Sequence, residues 1–247
     1  MTQLHSLHVE IFRDADKLTE AAADYIVSVG QEAININGRF VISLSGGHTP
    51  EKLFTLLSTP AFRKKLDWKK TFFFWGDERC VPLDDERNNA HQAKLIWLDH
   101  MPVPPAHIHR IPVNLPPQDA AIAYQHDIEV FFGSHPKRFD LMLLGLGENG
   151  HTASLFPGTP VVHDKDEAVR EVYVEEEKLF RVTMTAPLIN EARHILFLVT
   201  GKNKAIVLEK ILNTPFQPDL YPAQLIKSVE GELRWYVDTA AASLLEK

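Results

Sequence analysis

Residues 140–158 read DLMLLGLGENGHTASLFPG, an apolar run that ends in Gly145, Gly147 and Gly150 and is followed at once by His151. A histidine after a glycine loop at the end of a strand is well placed for acid–base chemistry, because imidazole titrates near neutrality. The same glycines satisfy G-x-G-x-x-G, the signature of a dinucleotide-binding turn, but that turn needs its third glycine inside a helix continuing for several turns. Pro157 and Gly158 follow Gly150 too closely for such a helix. The loop therefore presents either an acid–base histidine or a histidine that is simply structural, the commoner case for a lone one. Ser154, three residues further on, has no base partner legible in the sequence and reads as structural.

Three further stretches carry groups suited to a small anion. In SLSGGHTPEKL (43–53) a strand runs into Gly46, Gly47 and His48, whose backbone N–H groups can approach a ligand, and Thr49 is expected to cap a helix with Pro50 at its first position. The lysine and spacing of a P-loop are absent, so a nucleoside triphosphate is not indicated. The apolar FFFW (72–75) leads into Asp77, Glu78 and Arg79. Those charges form either a surface ion-pair cluster or a site with Arg79 on a substrate anion and Asp77 near the reacting carbon. Arg181, in or at the start of a strand, and Lys204, in the first turn of a helix after Gly201, either join the glycine loop around a phosphate or are surface charges at element ends. No H-x-x-x-H or H-E-x-x-H spacing occurs, and no metal site is expected.

The elements that must position these residues follow from hydrophobic patterning. Short, nearly continuous apolar runs predict strands at 8–12, 40–44, 71–75, 140–146, 180–184 and 194–199. Helical patterns fall at 14–35, 50–57, 89–98, 119–132 and 202–212. This alternation predicts an α/β fold with a mainly parallel sheet covered on both faces, and residues 1–247 read as one domain. The proline-rich 102–117 is the best linker candidate, although its IHRI core equally suits a short strand. Chemistry in such a sheet gathers at the C-terminal strand ends.

With 26 basic and 33 acidic residues the net charge is −7 and no basic run occurs, which argues against nucleic acid but not against a small anion. Cys80 is the only cysteine and reads as a small buried residue, so a disulfide framework and a thiolate zinc site are both excluded. The opening residues lack a basic flank followed by an apolar run, and no segment reaches membrane-spanning length. A soluble, cytoplasmic protein is expected.

Taken in order, SLSGGHTP, FFFWGDERCVP, LLGLGENGHTASLFPG, RVTMTAPLINEARHILFLVTGKNKA and LRWYVDTAAASLL resemble the soluble bacterial 6-phosphogluconolactonases over nearly the whole chain. The resemblance implies a Rossmann-like three-layer α/β/α sandwich of the sugar-phosphate isomerase/deaminase type. It further implies a sugar-phosphate lactone as the small-molecule partner, its hydrolysis in the oxidative pentose phosphate pathway, no cofactor, no nucleic-acid or membrane partner, and a monomer or small homo-oligomer. His151 would serve as general base on water and then as general acid on the ring oxygen, with Asn149 and Asp77 beside it. The N–H groups of Gly46, Gly47 and His48, with Arg181 and Lys204, would hold the phosphate, and Arg79 the phosphate or sugar hydroxyls.

The related glucosamine-6-phosphate deaminases place aspartate just before the Gly-His pair and glutamate five residues after the histidine, where this chain has Asn149 and Phe156. Many lactonases also carry aspartate at the Asn149 position, a departure that bears on the pH profile. A non-catalytic sugar-phosphate-binding protein is the alternative from another class.

Overall fold

The computed structural model describes residues 8–245. The opening MTQLHSL, part of the segment read above as lacking an export leader, lies outside them. The strands are β1 (His8–Phe12), β2 (Phe40–Leu44), β3 (Thr71–Trp75), β4 (Asp77–Arg79), β5 (Leu141–Leu144), β6 (Val169–Val174), β7 (Leu179–Met184), β8 (His194–Val199) and β9 (Glu232–Asp238). The α-helices are α1 (Ala15–Asn37), α2 (His48–Leu57), α3 (Pro60–Arg63), α4 (Asn89–Ile96), α5 (Pro117–Phe132), α6 (Ala186–Asn190) and α7 (Ala205–Asn213).

Six strands form a wholly parallel sheet in the order β1-β9-β8-β5-β2-β3. Its central strands are buried along their whole length, which is why β2 and β5 read as unbroken apolar runs. Helix α1 packs an apolar stripe that includes Leu18, Ala22, Ile26 and Ala33. Asp14 caps its start by accepting from the Lys17 N–H, and Gly38 ends it with a left-handed φ of 74°. One apolar cluster runs from α1 to residues after β9, with Trp75, Phe73, Phe74, Phe197 and Trp235 among its large members.

Two expectations need correction. The 180–184 run is a strand, but it does not join the main sheet; β7 is the middle of a separate antiparallel sheet ordered β4-β7-β6. Apolar character reports burial, and β7 is buried between β4 and β6 with α5 packed against it. Thr49 does not cap α2, which begins at His48, two residues before the expected Pro50, behind Gly47, φ 103°. Its hydroxyl instead meets that of Thr200 at 2.8 Å, tying the loop after β2 to the loop after β8. The IHRI stretch forms one parallel bridge, Ile108 to Phe73, and otherwise runs as loop along the β3 edge.

The sheet order sets the place for a site. From β2 the chain moves outward to β3 on one side, and β5 then enters on the other side of β2. The crevice beyond the C-terminal ends of β2 and β5 is a topological switch point, where open α/β sheets take their ligands. Both glycine loops open there, and a Cβ on Gly145 would stand 3.8 Å from Ser45 Oγ across the gap.

Candidate active site

The His151 loop is built by close backbone approach. The Gly147 N–H donates to the His151 carbonyl at 2.8 Å, and Gly150 turns the chain with a φ of 84°. A Cβ on Gly147 would lie 2.1 Å from His151 Nδ1, so no larger residue leaves room for the imidazole.

The tautomer of His151 follows from two bonds. Asn149 Oδ1 lies 3.2 Å from the His151 backbone N and 2.6 Å from His151 Nδ1. A backbone N–H can only donate, so the shared Asn149 atom is the amide oxygen and Nδ1 must carry the ring proton. Nε2 is left with a free lone pair. Burial pushes the imidazole pKa down to about 4; the Arg181 and Lys204 charges push the same way, while Asp77 and Glu177 oppose them. His151 is thus a neutral base at physiological pH.

Strand β4 supplies the next wall. Asp77 is buried, and its Oδ2 accepts from Ser154 Oγ at 2.6 Å and from Arg181 Nη1 at 3.5 Å. Ser154 is fully buried and spends its hydroxyl proton on that carboxylate, which fits a structural role. Arg181, on β7 opposite Arg79 in register, is also buried. Its Nε and Nη2 donate to Glu177 Oε2 at 3.1 and 2.7 Å, so the guanidinium is enclosed by two carboxylates and a hydroxyl.

The glycine loop after β2 lies against Asn89 of this wall. Among the described residues the N–H groups of Gly46, Gly47 and His48 have no acceptor, as at an open helix N-terminus. A Cβ on Gly46 would fall 1.8 Å from Asn89 Oδ1, the atom that also accepts from Arg79 Nη1 at 2.6 Å. Asn89 Nδ2 completes the link by donating to the Asp77 carbonyl at 3.0 Å. The His48 side chain points out to solvent beside Glu51. Lys204 is partly buried and forms no ion pair among the described residues; burial lowers its pKa, partly offset by Glu148. Its neighbour Asn203 bonds Glu148 at 2.7 Å, which fastens the Gly201 turn to the His151 loop.

Several contributors were not singled out from the sequence. Glu78 is buried and accepts from the backbone N–H groups of Arg79, Asn89 and Ala90, anchoring the start of α4 and thereby Asn89. A carboxylate directly after an apolar strand was the available signal. Asn89 and Glu177 gave none, because their side chains take their roles from contacts that only the fold makes, and Phe156 was legible only as the residue in place of the deaminase glutamate. Among the described residues no group of three or more His, Cys, Asp or Glu side chains is arranged to hold a metal ion, and no helix is long and apolar enough to cross a membrane.

The fold and crevice define a doubly wound α/β protein whose switch-point crevice brings unpaired backbone N–H groups and a neutral histidine loop together. Residues 13–235 match the family model described as glucosamine-6-phosphate isomerases/6-phosphogluconolactonase, and the chain belongs to that family. A 6-phosphogluconolactonase of a Synechocystis strain is 39% identical over 242 residues, covering 96% of this chain and 98% of its relative. The solved 6-phosphogluconolactonase of Trypanosoma cruzi superposes with a TM-score of 0.87 at 27% identity, over 99% of this chain and 100% of its own. A monomeric glucosamine-6-phosphate deaminase shares the fold, with a TM-score of 0.83 at 21% identity over 96% of this chain and 100% of its own.

Proposed function

We propose that the protein hydrolyses 6-phospho-D-glucono-1,5-lactone to 6-phospho-D-gluconate, as a cytoplasmic step of the oxidative pentose phosphate pathway. Relatives named for this activity support the substrate. The observation that carries the chemistry is the Asn149–His151 pair, which leaves Nε2 as a neutral base on the loop after β5.

In this reading Nε2 takes a proton from water as the water oxygen bonds C1 of the lactone. The tetrahedral intermediate then collapses with cleavage of the bond from C1 to the ring oxygen, and the imidazolium returns its proton to that oxygen. The acid formed ionises, so each turnover releases one proton to solvent. A lactone is already electrophilic, and one placed base supplies about 100- to 10,000-fold. Ser154 is not needed as a nucleophile, since its hydroxyl is bound to Asp77.

The phosphate is assigned to the N–H groups of Gly46, Gly47 and His48 with Lys204, and Arg79 to phosphate or sugar hydroxyls. Arg181 can join only if Glu177, which is partly exposed in the turn between β6 and β7, releases it.

The test is proton release from freshly generated lactone, measured above the spontaneous background. Acceleration supports the assignment; tight binding without acceleration would make the protein a sugar-phosphate sensor. Ammonia released from glucosamine 6-phosphate would make it a deaminase instead.

A further inference from the structure

We propose that Phe156 is a positioning residue for His151: its ring fixes the imidazole plane and keeps both water and the Arg181 guanidinium off it, so that Nε2 is presented in one orientation. The proposal rests on His151 being the base.

The two rings stack with centroids 4.0 Å apart and an interplanar angle of 22°. Phe156 is buried, and Arg181 Cζ lies 5.1 Å from its centroid. Arg181 is itself immobilised by Asp77, Ser154 and Glu177, so the phenyl ring rests on a fixed guanidinium. The imidazole is therefore confined by Phe156 on a face, by Asn149 at Nδ1 and by the close Gly147 backbone. Nε2 has no hydrogen-bond partner among the described residues.

Each restraint alone is insufficient. A single hydrogen bond at Nδ1 acts as a pivot and leaves the ring free to swing about it, whereas a stacked plate removes that freedom. A base displaced by about 1 Å loses on the order of 100-fold in rate, so the plate bears on turnover rather than on binding. Phe156 also supplies part of the apolar enclosure that keeps the ring uncharged. The charged groups around His151 come from four elements: Arg181 on β7, Asp77 on β4, Glu177 in the turn between β6 and β7, and Lys204 before α7. Their signs alternate, two cations and two anions, so their effects oppose one another and burial is the largest single cause of the lowered pKa.

Phe156→Leu keeps a buried apolar side chain but removes the plate, and Phe156→Tyr restores it. For Phe156→Leu we expect kcat to fall at least about 10-fold with KM within about 2-fold. The His151 titration followed by NMR should move from about 4 towards the ordinary 6.5, and Phe156→Tyr should recover most of both. In the unmodified protein the ring current of Phe156 should shift the His151 Hε1 resonance upfield, which tests the stack without any variant. An unshifted resonance overturns the proposal. So does a Phe156→Leu protein whose His151 titration is unchanged, whatever its stability. These NMR readouts need no turnover, so failure of lactone hydrolysis would refute the proposed function while leaving the stack to be judged by itself.

Discussion

Asn149 Oδ1 accepts from both the backbone N–H and the Nδ1–H of His151, at 3.2 and 2.6 Å, and this shared acceptor sets the ring tautomer without adding a charge. Aspartate at the same point would set the same tautomer but would also favour the imidazolium. Asn149→Asp is expected to raise the His151 pKa from about 4 and to carry the acid limb of kcat upward with it. Asn149→Leu removes the acceptor, so the wrong tautomer becomes populated and kcat falls about 10-fold or more. A kcat pH profile across the three proteins checks this; superimposable profiles would remove Asn149 from the mechanism.

His151→Ala should lower kcat by about 100- to 10,000-fold, with the residual rate corrected for spontaneous hydrolysis. In the free protein the base form persists down to a pH of about 4. A bound phosphate ester adds negative charge opposite Lys204 and Arg181, which favours the imidazolium, so 6-phosphogluconate should raise the His151 midpoint. NMR titration with and without that product reads the shift directly. The depressed pKa also links to folding: as pH falls from 6.5 to about 4 the unfolded chain takes up a proton that the folded chain refuses, so stability declines across that window.

The parts of this arrangement legible in the sequence were those whose cause is local. Strands β2, β5 and β8 announce themselves because central parallel strands are buried on both faces, and β3, although at the sheet edge, does so because it is almost wholly buried too. Strand β6, VREVYV, alternates with charge, and β9 begins Glu-Leu-Arg, so neither gives that signal. Strand β4 consists of three charged residues and becomes a strand only because β7 lies beside it. The same division holds at the site. His151 and both glycine loops stand out by residue type, whereas Phe156 stands out only as the residue in place of the deaminase glutamate until its ring is found on the imidazole. Arg181 reads as a phosphate ligand until Asp77, 104 positions earlier in the chain, is found against it.

Lys204→Ala should raise KM at least about 10-fold and leave kcat within a few-fold, because a remote phosphate is bound equally in ground and transition states. The ammonium has no competing ion pair among the described residues, so nothing internal has to be released for it to act. Arg181→Ala provides the contrast: with Asp77 and Glu177 left without their cation, the larger effect should fall on kcat and on thermal stability. Steady-state kinetics on both variants separates the two roles. A KM effect from Arg181→Ala matching that of Lys204→Ala would show Glu177 giving way to substrate phosphate.

Glu78 governs the wall behind Arg79, and its contribution has a pH signature. Burial raises its pKa to about 7, against the opposing pull of three backbone N–H donors from Arg79, Asn89 and Ala90. With the folded value above the ordinary 4.5, the stabilising contribution is full below 4.5 and is lost as pH rises through about 7. Glu78→Gln mimics the protonated form, so the melting temperature of the native protein relative to this variant should fall between pH 4.5 and 7. Glu78→Leu leaves all three N–H groups unpaired, at about 1 to 3 kcal/mol each, and should destabilise the protein by several kcal/mol at every pH. Because Asn89 loses its anchor in the Leu variant, Arg79 and the Gly46 turn should loosen with it, raising KM there before kcat changes. Thermal melts of the native and Gln proteins across this range decide the sign: a difference that grows with pH would mean that the three N–H bonds outweigh burial and hold Glu78 as a carboxylate.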